Sequence, residues 1–296
     1  MSSSPLVWIF NLTARLPLGV LHRLGALLGW AVYRLSGNFA ARLHENLARG
    51  LAGNSAAEFD KVLHDCVTET GKGVAELPWI WRRPLSEVLA TVKACHGWEY
   101  VETAHADGKG LIVLTPHLAC FEIIAIYIAA RMPMTCMYRV PKLAWLDTVM
   151  REARQRGHMS LARADVGGVR TLYKALKRGE IIGVLPDQVP GNGEGEWADF
   201  FGRPAYTMTL IGRLQKNSGA KVLMSYVVRL PRGQGYELHF APLEFDEKIG
   251  ATQQINAALE RTILTCPSQY LWSYNRYKVP AGAEPPPQAN TSGGQR

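Results

Sequence analysis

A histidine and a carboxylate stand between two apolar runs in the segment GLIVLTPHLACFE, residues 110–122. His117 follows Pro116 at the end of the first run, and Glu122 comes five positions later, directly before the second run, IIAIYIAARM. Five helical residues turn through about 500°, so these two side chains would not share one face of a helix. We expect them to meet only if His117 lies on the turn before a helix and Glu122 lies in its first turn.

A histidine paired with a carboxylate can act as a base. The carboxylate fixes the tautomer of the imidazole and makes its other nitrogen more basic, so that this nitrogen can take a proton from an alcohol. The hydroxyl oxygen could then attack an acyl carbonyl directly, without a covalent enzyme intermediate. The alternative interpretation is a hydrogen-bonded histidine at the end of a strand, beside a solvated glutamate.

Apolar, β-branched runs alternate along the chain with segments of helical periodicity. This alternation predicts an α/β fold with a mostly parallel central sheet flanked by helices, together with an N-terminal membrane-associated helix and a helical cap. Residues 38–94 look helical, and Ser55 is placed to cap a helix there. Because open α/β sheets place their sites outside the carboxyl ends of their strands, His117 and Glu122 would face a cleft.

The individual elements follow from the same patterns. GLIVLTPH, MTCMYRV and IIGVLPDQ are predicted strands, HMSLARA is a strand or a loop, and KVLMSYVVRLPRGQGYELHFAPL is a predicted hairpin. The predicted helices are FEIIAIYIAARM, WLDTVMREARQRGH, VGGVRTLYKALKRGE, TMTLIGRLQKNSGA and TQQINAALERTILTCP.

Residues 5–35 are apolar but are interrupted by Arg15, His22 and Arg23. Their unbroken apolar stretches are shorter than the ~18 residues of a secure transmembrane helix, and they do not resemble a signal peptide. An apolar stripe at helical spacing favours one helix that dips into or lies along a membrane face. A helix that covers the core of a soluble domain and a single weak spanning helix are the alternatives. The stripe consists of Leu16, Val20, Leu24, Leu27, Leu28 and Ala31.

These patterns divide the chain into three parts. A membrane-associated helix is expected at 1–36, the main domain at 37–280 and a disordered tail at 281–296. The tail is rich in proline, glycine and polar residues, a composition that does not build a core.

The composition excludes several classes of protein. A net charge of +8 and a pI of about 9.3 suit an anionic partner. No nucleic acid is expected, because zinc-finger spacing and a basic heptad helix are missing, and no nucleotide-binding glycine motif is present. The five cysteines lack CxxC spacing and are interpreted as free thiols, with Cys120 as apolar filler rather than a nucleophile. Neither a cofactor nor a metal is predicted.

The motif order along the chain is more specific than any single motif. TPHLACFE, MYRVPK, ARQRGH, KALKRGEIIGVLPDQ and QYLWSYNRYK together resemble the lysophospholipid acyltransferase superfamily. More closely, they resemble the bacterial lipid A biosynthesis acyltransferases, the lauroyl and myristoyl transferases of the inner membrane. The resemblance extends from the N-terminal helix to about Lys278. Relatives often have a histidine after the closing tryptophan, where this chain reads WSYNR.

The resemblance implies a reaction and its catalytic residues. A fatty acyl chain would move from the thioester of acyl carrier protein to a hydroxyl of a lipid A precursor, a membrane glycolipid, at the cytoplasmic face of the inner membrane. His117 would be the general base and Glu122 its orienting carboxylate, and glutamate at this position is usual in the lipid A branch. Acyl carrier protein is acidic and therefore suits a basic surface, but acyl-coenzyme A is also anionic, and the composition does not separate these two donors.

Substrate-binding roles are implied for four further residues, Arg139, Arg154, Asp187 and Gln188. Guanidinium groups suit the phosphates of a lipid A precursor, and Arg156 completes an arginine pair with Arg154. Asp187 would bind an acceptor hydroxyl or an arginine, or would cap the glycine-rich loop PGNGEGEW, which is long enough to form a lid. Arg170 and Lys174 are interpreted as a basic helix face rather than as part of a site.

Two other functions stay open at this point. Another enzyme of the superfamily could acylate a lysophospholipid, an aminolipid or a glycosylated inositol lipid with the same motif. A peripheral membrane-binding protein without catalysis would use the basic, aromatic surface and would not need His117 or Glu122.

Overall fold

A seven-stranded sheet forms the centre of the structure, a computed structural model that describes residues 5–191 and 193–287. The strands of the chain are β1 (Val92–His96), β2 (Leu111–Leu114), β3 (Met134–Tyr138), β4 (Met159–Arg163), β5 (Ile181–Val184), β6 (Gly195–Phe200), β7 (Arg203–Met208), β8 (Lys221–Arg229) and β9 (Tyr236–Pro242). The order in the sheet is β1-β9-β8-β2-β5-β3-β4, and β8 and β9 are the one antiparallel pair within it. The mostly parallel α/β fold predicted from the alternating pattern is therefore confirmed.

Helices cover both faces of this sheet, as the fully buried strands β2 and β5 require. The helices are α1 (Pro5–Thr13), α2 (Leu18–Leu35), α3 (Gly37–Gly50), α4 (Ala56–Ala75), α5 (Leu77–Arg82), α6 (Leu85–Ala90), α7 (Trp98–Ala106), α8 (Glu122–Ala129), α9 (Ala144–Arg154), α10 (Val166–Lys177), α11 (Leu210–Ser218) and α12 (Ala251–Thr265). One apolar cluster packs α7, α8 and α9 onto the sheet, and a second packs α3, α4, α10, α11 and α12 onto the other face. Ser55 caps α4 through a capping box with Glu58, as its position in the sequence predicts.

The N-terminal segment contains two helices where one was expected. The chain leaves the helical path between Thr13 and Leu18, where Pro17 cannot donate a backbone hydrogen bond. Beyond this break α2 packs closely along α4. The glycines make this possible, since a Cβ on Gly25 would lie only 2.7 Å from the carbonyl oxygen of Gly71. Residues 18–35 are therefore packed onto the main domain rather than separate from it.

The apolar stripe of α2 points away from the core. Leu24, Leu27 and Leu28 are 49%, 69% and 49% exposed, whereas Leu21 and His22 on the opposite face are buried. The stripe itself therefore does not cover the core, whereas Leu18 and Leu21 on the other face of the same helix do pack into it. Among the described residues, no helix has both the length and the apolar character needed to cross a membrane.

The glycine-rich segment after β5 is shorter than the predicted lid loop. β6 begins at Gly195 and pairs with β7 in an antiparallel hairpin, so Glu196 and Trp197 belong to a strand. Trp197 donates a hydrogen bond to the carbonyl oxygen of Glu284, which lies in the predicted tail. Of that tail the structure describes 281–287, and 288–296 lie outside the described residues.

Candidate active site

His117 lies on a tight turn between β2 and α8. Ala119 in this turn has a φ of 49°, a left-handed conformation that residues other than glycine rarely adopt. The C-terminal segment holds the turn in place through two backbone hydrogen bonds, from Ala119 to the carbonyl oxygen of Gln269 (2.9 Å) and from Leu271 to that of His117 (3.1 Å). Chain segments about 150 residues apart thus determine where the imidazole points.

Asp187 is the carboxylate that contacts His117. The backbone N–H of His117 donates a hydrogen bond of 2.8 Å to Asp187 Oδ2. The ring Nδ1 of His117 lies 2.8 Å from Asp187 Oδ1. Strand pairing explains the contact, because Leu114 and Val184 are register partners in β2 and β5, and each functional residue follows its strand by three positions. Both turns also have a proline directly before the functional residue, Pro116 and Pro186.

The tautomer of His117 follows from this contact. Burial raises the pKa of Asp187, but the charge of His117 and its two hydrogen bonds outweigh burial and leave that pKa below its usual value. An ionised carboxylate only accepts hydrogen bonds, so Nδ1 carries the ring proton. Nε2 then has its lone pair free to accept, and the side-chain amide nitrogen of Gln188 lies 3.2 Å from it. The imidazole can therefore take a proton at Nε2, the atom that faces Gln188.

Glu122 is in the first turn of α8, as expected, but its partner is Arg154 rather than His117. Arg154 donates to both carboxylate oxygens of Glu122, with 2.9 Å between Nε and Oε2. Both side chains are largely buried. Burial lowers the pKa of Arg154, but the charge and the hydrogen bonds of Glu122 outweigh burial and raise this pKa above its usual value. The predicted contact between Glu122 and the imidazole is corrected here, because α8 directs Glu122 toward α9 while β5 delivers Asp187 to the ring.

A cavity of about 910 Å³ opens beside the imidazole of His117. Apolar side chains such as Phe121, Met150, Tyr173 and Leu210 form much of its wall. Five cationic side chains and two acidic ones also lie in the wall, and because Glu122 neutralises Arg154, the four remaining cations and two acids leave an excess of two positive charges. The cations are Arg139, Arg154, Arg170, Lys174 and Arg213, and the acids are Asp165 and Glu194. An apolar space with surplus positive charge suits an amphiphile that has an anionic head.

The sequence predicted a place in the site for some of these cationic residues and not for others. Arg139 follows β3 and is exposed at the cavity wall, where its side chain makes no hydrogen bond to a described residue. Arg170 and Lys174 also line the cavity, although helical spacing favoured a solvated face. Arg213, on α11, has no distinguishing signal in the sequence. Arg156 is placed elsewhere, since it donates to backbone carbonyls of the α5–α6 region and anchors α9.

A small recess of about 50 Å³ lies beneath the junction of Glu122 and Arg154 and shares wall residues with the large cavity. Its far end is formed by Met134 and other side chains at the start of β3 and β4. Gly183 keeps this space open, because a Cβ there would lie 2.6 Å from Met134 Cε and 2.8 Å from Cys136 Sγ. The recess is therefore a small, mostly apolar space beside the cavity, with Phe121, Met137 and Arg154 among the residues that line both.

The closing segment WSYNR supports the site without entering the cavity wall. The Tyr274 hydroxyl accepts a hydrogen bond from the backbone of Val189, directly after Gln188. Arg276 is buried and donates to the carbonyl oxygen of Tyr206 and to Thr207. The position after the tryptophan, where relatives often have histidine, thus lies in a segment that clamps the turn after β5.

Cys120 does not have the environment of a nucleophile. It is 2% exposed, and burial together with the nearby Glu76 carboxylate raises the pKa of its thiol well above the usual value. A thiol of this kind stays protonated at neutral pH, whereas nucleophilic cysteines react as thiolates.

Fold and site together define an α/β protein with a carboxylate-paired histidine in the wall of an apolar, cation-lined cavity. Comparison with known proteins specifies the family. Residues 5–279 match the family described as bacterial lipid A biosynthesis acyltransferase. The chain therefore belongs to this family, and it is an acyltransferase of lipid A biosynthesis, as the motif order predicts.

Three relatives from Escherichia coli K12 illustrate the similarity. The chain is 28% identical to lipid A biosynthesis lauroyltransferase over 282 residues, which cover 92% of this chain and 90% of that protein. It is 27% identical to lipid A biosynthesis palmitoleoyltransferase over 283 residues, covering 92% and 89% of the two chains. For lipid A biosynthesis myristoyltransferase the identity is 25% over 260 residues, covering 86% and 78%.

Proposed function

We propose that this protein transfers a fatty acyl chain from the thioester of acyl carrier protein to a hydroxyl of a lipid A precursor, with His117 as the general base. The observation that carries the proposal is the hydrogen bond between His117 Nδ1 and the buried Asp187 carboxylate, at the wall of the 910 Å³ cavity. Asp187 takes the orienting role that the motif alone assigned to Glu122.

The reaction proceeds by direct attack. The acceptor hydroxyl gives its proton to His117 Nε2 as its oxygen attacks the thioester carbonyl, and the Asp187 carboxylate stabilises the imidazolium. When the tetrahedral intermediate collapses, the carbon–sulfur bond breaks and the imidazolium returns the proton to the leaving thiolate. The products are the acylated glycolipid and the free thiol of the carrier protein, and His117 regains its starting state.

The cationic side chains bind the acceptor. Arg139, Arg170, Lys174 and Arg213 make no side-chain hydrogen bond to a described residue and are available to phosphates of the glycolipid. Arg154 differs from these four side chains, because it is bonded to Glu122. This ion pair lies at the boundary between the cavity and the apolar recess. Gln188 occupies the place beside Nε2 that the acceptor hydroxyl takes.

We propose a location at the cytoplasmic face of the inner membrane, and the exposed apolar side chains of the N-terminal helices support contact with a membrane. Trp8 on α1 is 65% exposed and Leu27 on α2 is 69% exposed, so these helices present apolar side chains outward. The ring of Phe10 on α1 lies 6.4 Å from that of Trp145 on α9, close in sequence to the exposed Leu143. This apolar surface therefore continues onto α9, whose Met150 and Arg154 line the cavity, and the proposed lipid substrate would arrive from the bilayer on this side.

A transfer assay tests the proposal. Membranes containing the protein receive labelled acyl-acyl carrier protein and a Kdo-bearing lipid A precursor. We expect label in the precursor with the wild type, and its loss in His117→Ala while the variant stays in the membrane fraction. His44→Ala is the matched control, because His44 is exposed and packs against the ring of Phe59 away from the cavity.

The outcome separates the proposed function from its alternatives. Label in a phospholipid or aminolipid instead of the precursor would keep the acyltransferase and reject the proposed acceptor. Transfer from acyl-coenzyme A but not from the carrier protein would reject the proposed donor. Unchanged transfer by His117→Ala would reject the catalytic role of the histidine.

A further inference from the structure

A second cluster of potential ligand side chains lies at the far edge of the sheet, away from the cavity. His96 is at the end of the edge strand β1, and His239 is its register partner on β9. Glu237 lies two residues before His239 and therefore on the same face of β9. The order β1-β9-β8-β2 puts three strand spacings, about 14 Å, between β1 and the strand that leads to His117.

His96 converges with Glu237 and His239 although about 140 positions of sequence separate it from them. One possible ligand atom from each lies within 4.8 Å of the other two. The backbone is fixed here, since Gly97 follows His96 with a φ of 77° and a Cβ on Gly97 would collide with the carbonyl oxygen of Phe240. The donor set is therefore built on paired strands rather than on a loop.

The side chains are arranged in a stack that leaves their polar atoms available. The Tyr226 ring packs on His239 with 4.5 Å between centroids, and His239 packs on His96 with 4.6 Å. The side chains of His96, Glu237 and His239 form no hydrogen bond or ion pair with other residues in the described part of the chain.

We propose that His96, His239 and Glu237 bind a divalent transition metal ion, with Zn²⁺ as the best fit. Two imidazoles and one carboxylate, with further positions open to water, form a ligand set that zinc uses in proteins. Zinc–nitrogen bonds of about 2.0–2.1 Å require the donor atoms to come closer than 4.8 Å, and rotation about the side-chain torsions supplies this movement. The exposed edge of β1 leaves room for His96 to turn.

The bound ion would join β1 to β9 and so tie residues 92–96 to the hairpin of β8 and β9. It would take no part in acyl transfer, because three strand spacings separate β1 from β2, the strand that leads to His117. The sequence shows no zinc motif because the ligands come from two distant strands. This inference does not depend on the proposed acyl donor or acceptor.

Zinc titration of the full-length protein tests the site. Protein purified in detergent is stripped of metal with EDTA, exchanged into buffer and titrated with ZnCl₂ by isothermal calorimetry. We expect one saturable equivalent and a melting temperature that rises with zinc concentration. In His96→Gln the affinity should fall more than about tenfold, since loss of outer-shell partners alone costs ~10–100-fold. Glu237→Gln should behave in the same way.

Controls distinguish this site from other zinc ligands. His44→Gln removes another exposed, ring-packed histidine and should leave zinc binding unchanged. Because the protein has five free cysteines, Co²⁺ is also added, and the expected spectrum has no thiolate charge-transfer absorption. His96 is exposed, so its variant should keep the melting temperature of the metal-free wild type. No saturable binding, binding that survives in both variants, or a thiolate signal would overturn the proposal.

Discussion

Asp187→Asn is the substitution that most directly tests how His117 is activated. Asparagine has nearly the same shape, but it is neutral and can turn its amide N–H toward the ring. Nδ1 would then become the acceptor and the proton would move to Nε2, where the base is needed. The wild-type carboxylate is 2% exposed and accepts from both the ring and the backbone of His117, so no water replaces it easily.

The expected decrease in kcat follows from the distance between the Asp187 carboxylate and the imidazolium of His117. At 2.8 Å and an effective dielectric constant of ~20, the attraction between carboxylate and imidazolium is about 6 kcal/mol. A neutral hydrogen bond to the substituted asparagine would recover about 1 kcal/mol of this stabilisation. The remaining ~5 kcal/mol corresponds to a decrease in kcat of about 10³- to 10⁴-fold, at 1.36 kcal/mol for each factor of ten.

The assay compares Asp187→Asn with Glu122→Gln at saturating concentrations of acyl donor and acceptor. Glu122 contacts Arg154 and not the imidazole, so its variant should mainly raise KM for the acceptor and lower the melting temperature, with a smaller change in kcat. Asp187→Asn should lower kcat at nearly unchanged KM. Membrane fractionation and thermal unfolding of both variants show how much folded enzyme each assay contains.

One result would refute this reasoning. If Asp187→Asn keeps kcat within about tenfold of the wild type while Glu122→Gln loses at least a thousandfold, the carboxylate assignment is reversed. Glu122 would then have to leave Arg154 and orient His117 once substrate is bound.

Three further predictions concern stability, chain-length preference and thiol reactivity. Glu76→Gln should lower the free energy of unfolding by about 3–5 kcal/mol, because it leaves the buried Arg229 short of a counter-charge. Burial raises the pKa of Glu76, but Arg229 outweighs it and brings that pKa to about 2, so the stabilisation is complete above about pH 4.5 and is lost as the pH falls toward 2. Gly183→Ala should favour shorter acyl chains, because we place the chain end in the recess and a Cβ on Gly183, only 2.6 Å from Met134 Cε, would narrow it. N-ethylmaleimide should leave transfer intact, because the Cys120 thiol is buried and protonated.

Each of these predictions has a measurement that can contradict it. Chemical unfolding in detergent at pH 7 would show no difference for Glu76→Gln if the buried cluster contributed nothing. Competition between acyl donors of different length would give an unchanged product ratio for Gly183→Ala if the recess did not receive the chain end. Loss of transfer after alkylation of the wild type, with transfer retained after alkylation of Cys120→Ser, would assign that loss to Cys120.

Local patterns in the sequence determined most of the elements but not all of them. The apolar runs that became β2 and β5 and the periodic segments that became α8 and α10 were assigned from the sequence. β1 was missed because VKACH lies at the end of a helical region and its burial depends on pairing with β9. The hairpin of β6 and β7 was missed because its glycines resemble a loop, and only the register of the two strands makes them a ribbon.

The sequence by itself identified the family and placed His117, Glu122, Arg139 and Asp187 at strand ends or helix starts, because those positions depend on local periodicity and turn residues. Tertiary structure alone decided which carboxylate touches His117, since that depends on β2 and β5 being neighbours. It also decided that cations from α10 and α11 share one cavity wall and that two histidines meet at the sheet edge. The physical reason is that helix and strand periods act over a few residues, whereas a site is assembled by strand order and register across the whole chain.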